Sequence, residues 1–187
     1  MIHVAIRMHD GAADEQMEDE LTNALHLTKP DIDFNDFRRE LFSPTEANIL
    51  VMLTAAKYMA GKNLEAIRIG EEILFALERS HSRLSDYKVL QINLAHNLSQ
   101  ILQDEGRYQE ALLYAKKAEN LSICGTEQFL LPEIEFSIAQ ILNNMKKRQE
   151  SRMRMEALIP YMRLIGKKEM ADLVQEYLEK NLTNDVN

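Results

Sequence analysis

The sequence predicts an all-α fold built from repeated helix pairs, and three observations carry that expectation. Six Gly and four Pro among 187 residues leave little material for turns, so long helices with short connections are the economical arrangement. Apolar residues recur at helical spacing in stretches bounded by capping signals. A phrase of the form Gly-x-x-x-Glu-Ala also returns along the chain, which is the mark of a repeat architecture.

Residues 1–11 show no periodicity and are expected to be irregular, with a single helical domain over 12–187. An acidic helix is expected from Ala12 to Leu27, with Met17, Leu21 and Leu25 on one side, ended by Thr28-Lys29-Pro30. Asp33 is placed to cap a short helix through Phe34, Phe37 and Leu41. These two elements form the N-terminal part, 12–42. Ser43-Pro44-Thr45-Glu46 then puts Ser at the cap, Pro at the first helical position and Glu three residues after the cap, so that each side chain satisfies a backbone N–H the helix start would orphan. The helix that follows is expected to end at Gly61. Its apolar residues, Ile49 to Met59, cover nearly every side, so it must be packed on several faces.

Five more helices follow, over roughly 63–79, 85–104, 107–122, 131–145 and 148–165. Gly106, Gly125 and Gly166 stand where a left-handed C-terminal cap is wanted, and Pro132 opens a helix. Pro160 falls inside a helical pattern and is expected to kink it. A closing helix over 167–181, apolar on one side and charged on the other, suits the end of a stack. The repeats thus lie at about 44–79, 85–122 and 131–165, in a chain of eight or nine antiparallel helices.

Composition and charge exclude several function classes. The net charge is −8, from 22 basic and 30 acidic residues, and no basic stripe is present. Phosphate contact by Lys and Arg supplies most nucleic-acid affinity, so direct nucleic-acid binding is not expected. Cys124 is the single cysteine, which excludes an intrachain disulfide and fits a reducing cytoplasm. It is expected to be a partly buried structural thiol. The five His have no metal-ligand spacing, no Gly-rich phosphate loop or nucleophile elbow occurs, and no cofactor or enzymatic activity is expected. The most apolar window, Ala47 to Ala60, is too short to span a bilayer, and residues 1–10 lack the apolar stretch of a signal peptide.

The repeat phrase aligns Gly61-Lys-Asn-Leu-Glu65-Ala66 with Gly106-Arg-Tyr-Gln-Glu110-Ala111, and a degraded copy is Lys146-Lys-Arg-Gln-Glu150-Ser151. Small residues at 66, 111 and 151 let the two helices of a pair cross closely. With Asn97-Leu98 before it and Tyr114 to Ala118 after it, the second copy resembles the tetratricopeptide (TPR) signature. The spacings, 45 and then 40 residues, exceed the roughly 34 of an ordinary copy. Longer helices absorb the difference. The segments Leu130-Leu131-Pro132-Glu133, Leu164 to Glu169 and Glu176-Tyr177-Leu178-Glu179, with Ala24 to Thr28 and Pro30, resemble the C-terminal TPR regions of XRE-type helix-turn-helix transcription regulators of Firmicutes. The likeness covers about residues 20–181. It implies a right-handed α-α superhelix that senses a ligand or dimerises. In that family a DNA-binding domain precedes the repeats; no stretch before Ala12 could contain one, so this chain is expected to be a sensor domain without its DNA-reading half. The run Leu41 to Leu50 also resembles the opening of a LuxR-type DNA-binding domain, but Glu71 to Glu78 is acidic where phosphates would then lie.

The expected binding surface is the first helix of each pair. Asn93, Asn97, Gln100 and Asp104 share one side of the middle pair, flanked by His96 and Gln103; Leu94, Leu98, Ile101 and Leu102 are assigned to the core. Glu133, Ser137, Gln140 and Asn144 repeat the stripe in the third pair. Asn and Gln each offer a donor and an acceptor, so such a groove pairs with the N–H and C=O of an extended peptide. Peptide-pheromone sensors of the resembled family use Asn in this way. The middle stripe has no basic residue, which argues against the carboxylate clamp of co-chaperone TPRs. The simpler reading is a solvated polar face. The expected partners are a peptide or protein ligand, or a second copy of the chain; a free-standing TPR scaffold is the alternative function.

Overall fold

A computed structural model describes residues 11–34, 36–37, 40–79, 85–124 and 128–182. Within them the chain is all-α, with eight helices: α1 Gly11–His26, α2 Pro44–Met59, α3 Asn63–Arg79, α4 Ser85–Asp104, α5 Tyr108–Cys124, α6 Leu131–Asn144, α7 Arg148–Leu164 and α8 Lys168–Leu182. The helix at residue 44 starts as the capping box predicts. Ser43 Oγ accepts from the Glu46 N–H at 3.3 Å, and Glu46 Oε2 accepts from the Ser43 N–H at 2.8 Å. The expected short helix after Asp33 does not form: the described residues between 33 and 43 are non-helical. There Phe34, Phe37 and Phe42 stack edge-to-face, and Phe37 is fully buried, so tertiary burial of three rings replaces helix formation. Helix α7 continues through Pro160 to Leu164. Gly125 and the beginning of the chain, residues 1–10, lie outside the described residues.

Four connections are built alike. In each, the residue after the helix donates its N–H four residues back, the next donates three back, and the third donates five back, as in Glu105→Ile101 (3.0 Å), Gly106→Gln103 (3.0 Å) and Arg107→Leu102 (2.9 Å). The middle residue is left-handed: Gly61, Gly106, Lys146 and Gly166 have φ of 75°, 72°, 64° and 83°. The residue five positions later is Ala66, Ala111, Ser151 or Ala171, each wholly buried. At Ser151 the hydroxyl donates to the Ala139 carbonyl at 2.6 Å, which satisfies the extra polar atom inside the crossing. The α7–α8 turn is a fourth use of the device, which the sequence reading credited only with a glycine cap.

Consecutive helices pair antiparallel, while alternate helices run side by side. Tyr87 Oη donates to the Phe42 carbonyl at 2.7 Å across residues 45 apart, and Tyr114 Oη donates to Glu71 at 2.9 Å across 43. Further along, Lys167–Glu133 (2.6 Å) and Asn143–Tyr177 (3.3 Å) span 34 residues each. Helices α2, α4 and α6 form one layer, with α4 touching both neighbours. Helices α3, α5 and α7 form the other. Between them lies the core of Leu50, Leu53, Ile73, Leu77, Leu94, Leu98, Ile101 and Ile138. Gly70 of α3 belongs to this contact: a Cβ there would stand 2.8 Å from the Leu98 side chain. Helix α1 packs on α2, and Glu18 binds Lys57 (2.5 Å) and Lys62 (2.8 Å). Burial works to raise the Glu18 carboxyl, but the two lysines outweigh it and hold it below its usual range.

Candidate binding face of the first layer

Leu94, Leu98, Ile101 and Leu102 of α4 are wholly or almost wholly buried, as expected of its core side. That fixes which side of α4 is turned away from the second layer. Asn93, Asn97 and Gln100, together with Gln103, are half-buried, and Asp104 is exposed, where it accepts a hydrogen bond from Tyr58 of α2. On α6, Ile134, Ile138 and Ile141 are buried, while Met145 just after it, Gln140 and Asn144 are half-buried. Two residues of the expected set are more enclosed. Ser137 is buried, and so is His96.

The neighbouring helix α2 supplies a part of this face that sequence reasoning missed. Thr45 and Asn48 of α2 and Asp86, Val89 and Asn93 of α4 line an open depression of about 370 Å³. Asn48 lies one helical turn before Met52, which is 42% exposed although the rest of α2 is largely covered. The signal for Asn48 was its interruption of an otherwise apolar helix. That Asn48 lines the same depression as Asp86 depends on the register of α2 against α4, which no local pattern encodes.

Buried polar atoms without a hydrogen-bond partner in the chain occur in this layer, as they do at Asn63 Oδ1 of α3 and Ser122 Oγ of α5. Those of this layer include Asn97 Nδ2, His96 Nδ1 and Glu133 Oε2. A buried donor or acceptor left unmade costs on the order of 1–3 kcal/mol, so each calls for an explanation. Burial lowers the His96 imidazole to about 4, with Glu133 pulling the other way, so His96 is neutral near pH 7. Glu133 also accepts from Lys167 through its other oxygen.

A second concavity, about 450 Å³, lies between α6 and α7 and is walled by Leu131, Met153, Leu158 and Tyr161. At its floor Arg154 binds Glu135 and, at 3.1 Å, Glu119 of α5, which also takes Lys116 at 2.8 Å. Burial and the adjoining Glu119 push the Glu135 carboxyl up. Burial acts the same way on Glu119, but its bonds from Glu135, Lys116 and Arg154 hold it down. Cys124, expected to be partly buried, is exposed at the end of α5. Among the described residues no cluster of His, Cys, Asp or Glu could hold a metal ion, and no helix is long and apolar enough to cross a membrane.

No protein-family model matches this sequence, and no curated protein or solved structure is significantly similar to it.

Proposed function

We propose that this chain is a tetratricopeptide-like α-α superhelix that holds an extended peptide or protein segment, without catalysing a reaction. On this reading it is the ligand-sensing or dimerising part of a bacterial, cytoplasmic transcription regulator. The three like-built turns within the helix pairs, after α2, α4 and α6, each followed by a small buried residue, support the repeat. The regulator assignment rests on the segments near residues 130, 166 and 177.

The single observation that carries the binding role is the buried Asn97 Nδ2 with no acceptor. It stands on α4 between Asn93 and Gln100, beside the α2–α4 depression. A peptide carbonyl would satisfy it, and the amide oxygens nearby would accept peptide N–H groups. The grip would be to main chain, tolerant of side-chain sequence. Affinity selection of random peptide pools on the intact chain, read by mass spectrometry, tests this. Asn97→Ala with Gln100→Ala is expected to cut retention at least tenfold, about two lost hydrogen bonds. Equal retention by wild type and variant would sink the reading.

The α6–α7 cleft favours a second reading, an adaptor joining two proteins. Met153 is 63% and Tyr161 38% exposed there, which offers an apolar contact separate from the α2–α4 face. Competition between partners at the two surfaces would separate a one-site sensor from a two-site adaptor.

A further inference from the structure

Charge is divided unevenly along this chain, and the fold keeps the two kinds apart. Residues 11–36 hold eight Asp or Glu and one Lys, whereas residues 146–168 hold eight Lys or Arg and two Glu, in a chain of net charge −8. The acidic stretch is α1 and the segment just after it; the basic stretch is α7 with the turn on either side. Helix α1 packs on α2, and α7 packs on α6 and α8, so α3, α4 and α5 stand between the two regions.

The basic region has an apolar centre. Lys146 and Lys147 are exposed before α7, and Arg163 and Lys168 are exposed at its far end, about 25 Å away at the rise of a helix. Between these clusters lies the α6–α7 cleft with its exposed Met153 and Tyr161. The network at the cleft floor balances its own charges, Arg154 and Lys116 against Glu119 and Glu135. A nucleic-acid backbone follows a continuous basic stripe, which two clusters parted by an apolar cleft are not. An apolar centre inside a charged rim is the anatomy of a protein–protein contact. The acidic region of the same chain has the matching pattern. Leu27 is 86% exposed, with Asp19 and Glu20 exposed on α1 before it and Asp31 exposed after it.

We infer that copies of this chain associate acidic region to basic cleft, with Leu27 of one copy seated between Met153 and Tyr161 of the next and its flanking acids against the clusters at the two ends of α7. The contact joins two different surfaces and is therefore heterologous: a pair joined by it still carries one acidic region and one cleft. This inference rests on the dimerising reading of the chain and gives it a surface and an orientation. The face around Asn97 takes no part in it.

The test is sedentation-independent of any ligand: the mass of the full chain is followed by light scattering over a wide range of concentration. Wild type is expected to exceed the mass of one chain as concentration rises at low salt, and to associate several-fold more weakly at high salt. Leu27→Ser with Asp31→Asn removes the seated side, and Met153→Ser with Tyr161→Ser removes the cleft. All four side chains are exposed, so Tm is expected to be unchanged. Each double variant alone should associate at least about tenfold more weakly, the scale of one apolar side chain no longer buried. An equimolar mixture of the two should restore a one-to-one pair, because one variant keeps the cleft and the other keeps Leu27. Wild-type association retained by either double variant would overturn the assigned contact and leave the dimerising reading standing. Two impaired variants that fail to pair on mixing would overturn the heterologous arrangement. A wild type that remains a single chain at every concentration would overturn the contact and the dimerising reading together.

Discussion

Two regions of the molecule bury polar side chains and treat them differently. At the floor of the α6–α7 cleft Arg154, Glu119, Glu135 and Lys116 satisfy one another across three helices. On the α2–α4–α6 layer, Asn97 Nδ2 and His96 Nδ1 are enclosed without a partner from the chain. The first arrangement is closed and serves the packing of α5, α6 and α7. The second is open-ended. Unpartnered buried atoms occur elsewhere too, at Asn63 Oδ1 and Ser122 Oγ; what sets Asn97 Nδ2 apart is its place on α4 beside the α2–α4 depression, where an acceptor from outside the chain would complete it.

Removing a member should therefore act oppositely in the two regions. Arg154→Leu leaves the carboxylates of Glu119 and Glu135 together without their cation. Because the group is partly solvated, a loss of about 2 kcal/mol in urea unfolding is expected, below that of a fully buried pair. A neutral Arg154→Leu variant would mean the network is decoration.

His96 gives a pH-dependent form of the same contrast. Its folded pKa, about 4, lies below the unfolded value near 6.5, so the folded state prefers the neutral ring. The unfolded chain binds the proton first, and stability is lost as pH falls through that window. Between pH 7.5 and pH 5 wild type should lose about 2 kcal/mol more than His96→Gln, measured by denaturation at each pH. Parallel pH profiles would show that His96 is not enclosed.

Smaller effects separate the turns from the face. Lys146 holds a left-handed conformation where the equivalent turns use glycine. Lys146→Gly should raise stability by about 0.5–1 kcal/mol in thermal unfolding, whereas Gly106→Ala should lower it by about 1 kcal/mol. Smallest of all is Asn97→Ala. Since no bond within the chain is lost from its Nδ2, stability should change by less than about 0.5 kcal/mol, with ligand retention carrying the whole effect.

Helix ends were legible because they are written in local chemistry. Ser43 and Glu46 define one start by themselves, and Gly61 and Gly106 mark two of the stops. The core side of α4 was legible too, since Leu94, Leu98, Ile101 and Leu102 follow helical period. Non-local features were not. The rings of Phe34, Phe37 and Phe42 pack as irregular chain because their burial against each other outweighs local propensity. The turn at Lys146 keeps its shape without glycine, so the residue type understated the repeat. The α2–α4 depression needs Asn48 and Asp86, far apart in sequence, to meet through helix register; the stripe on α4 alone displayed only one of its walls.

The central claim is that the open face around Asn97 holds a peptide by its main chain. The most direct measurement is affinity selection of random peptides on wild type and on Asn97→Ala/Gln100→Ala, with Tm recorded for both. At least tenfold lower retention at unchanged Tm is the predicted result; undiminished retention by the double variant would contradict the account.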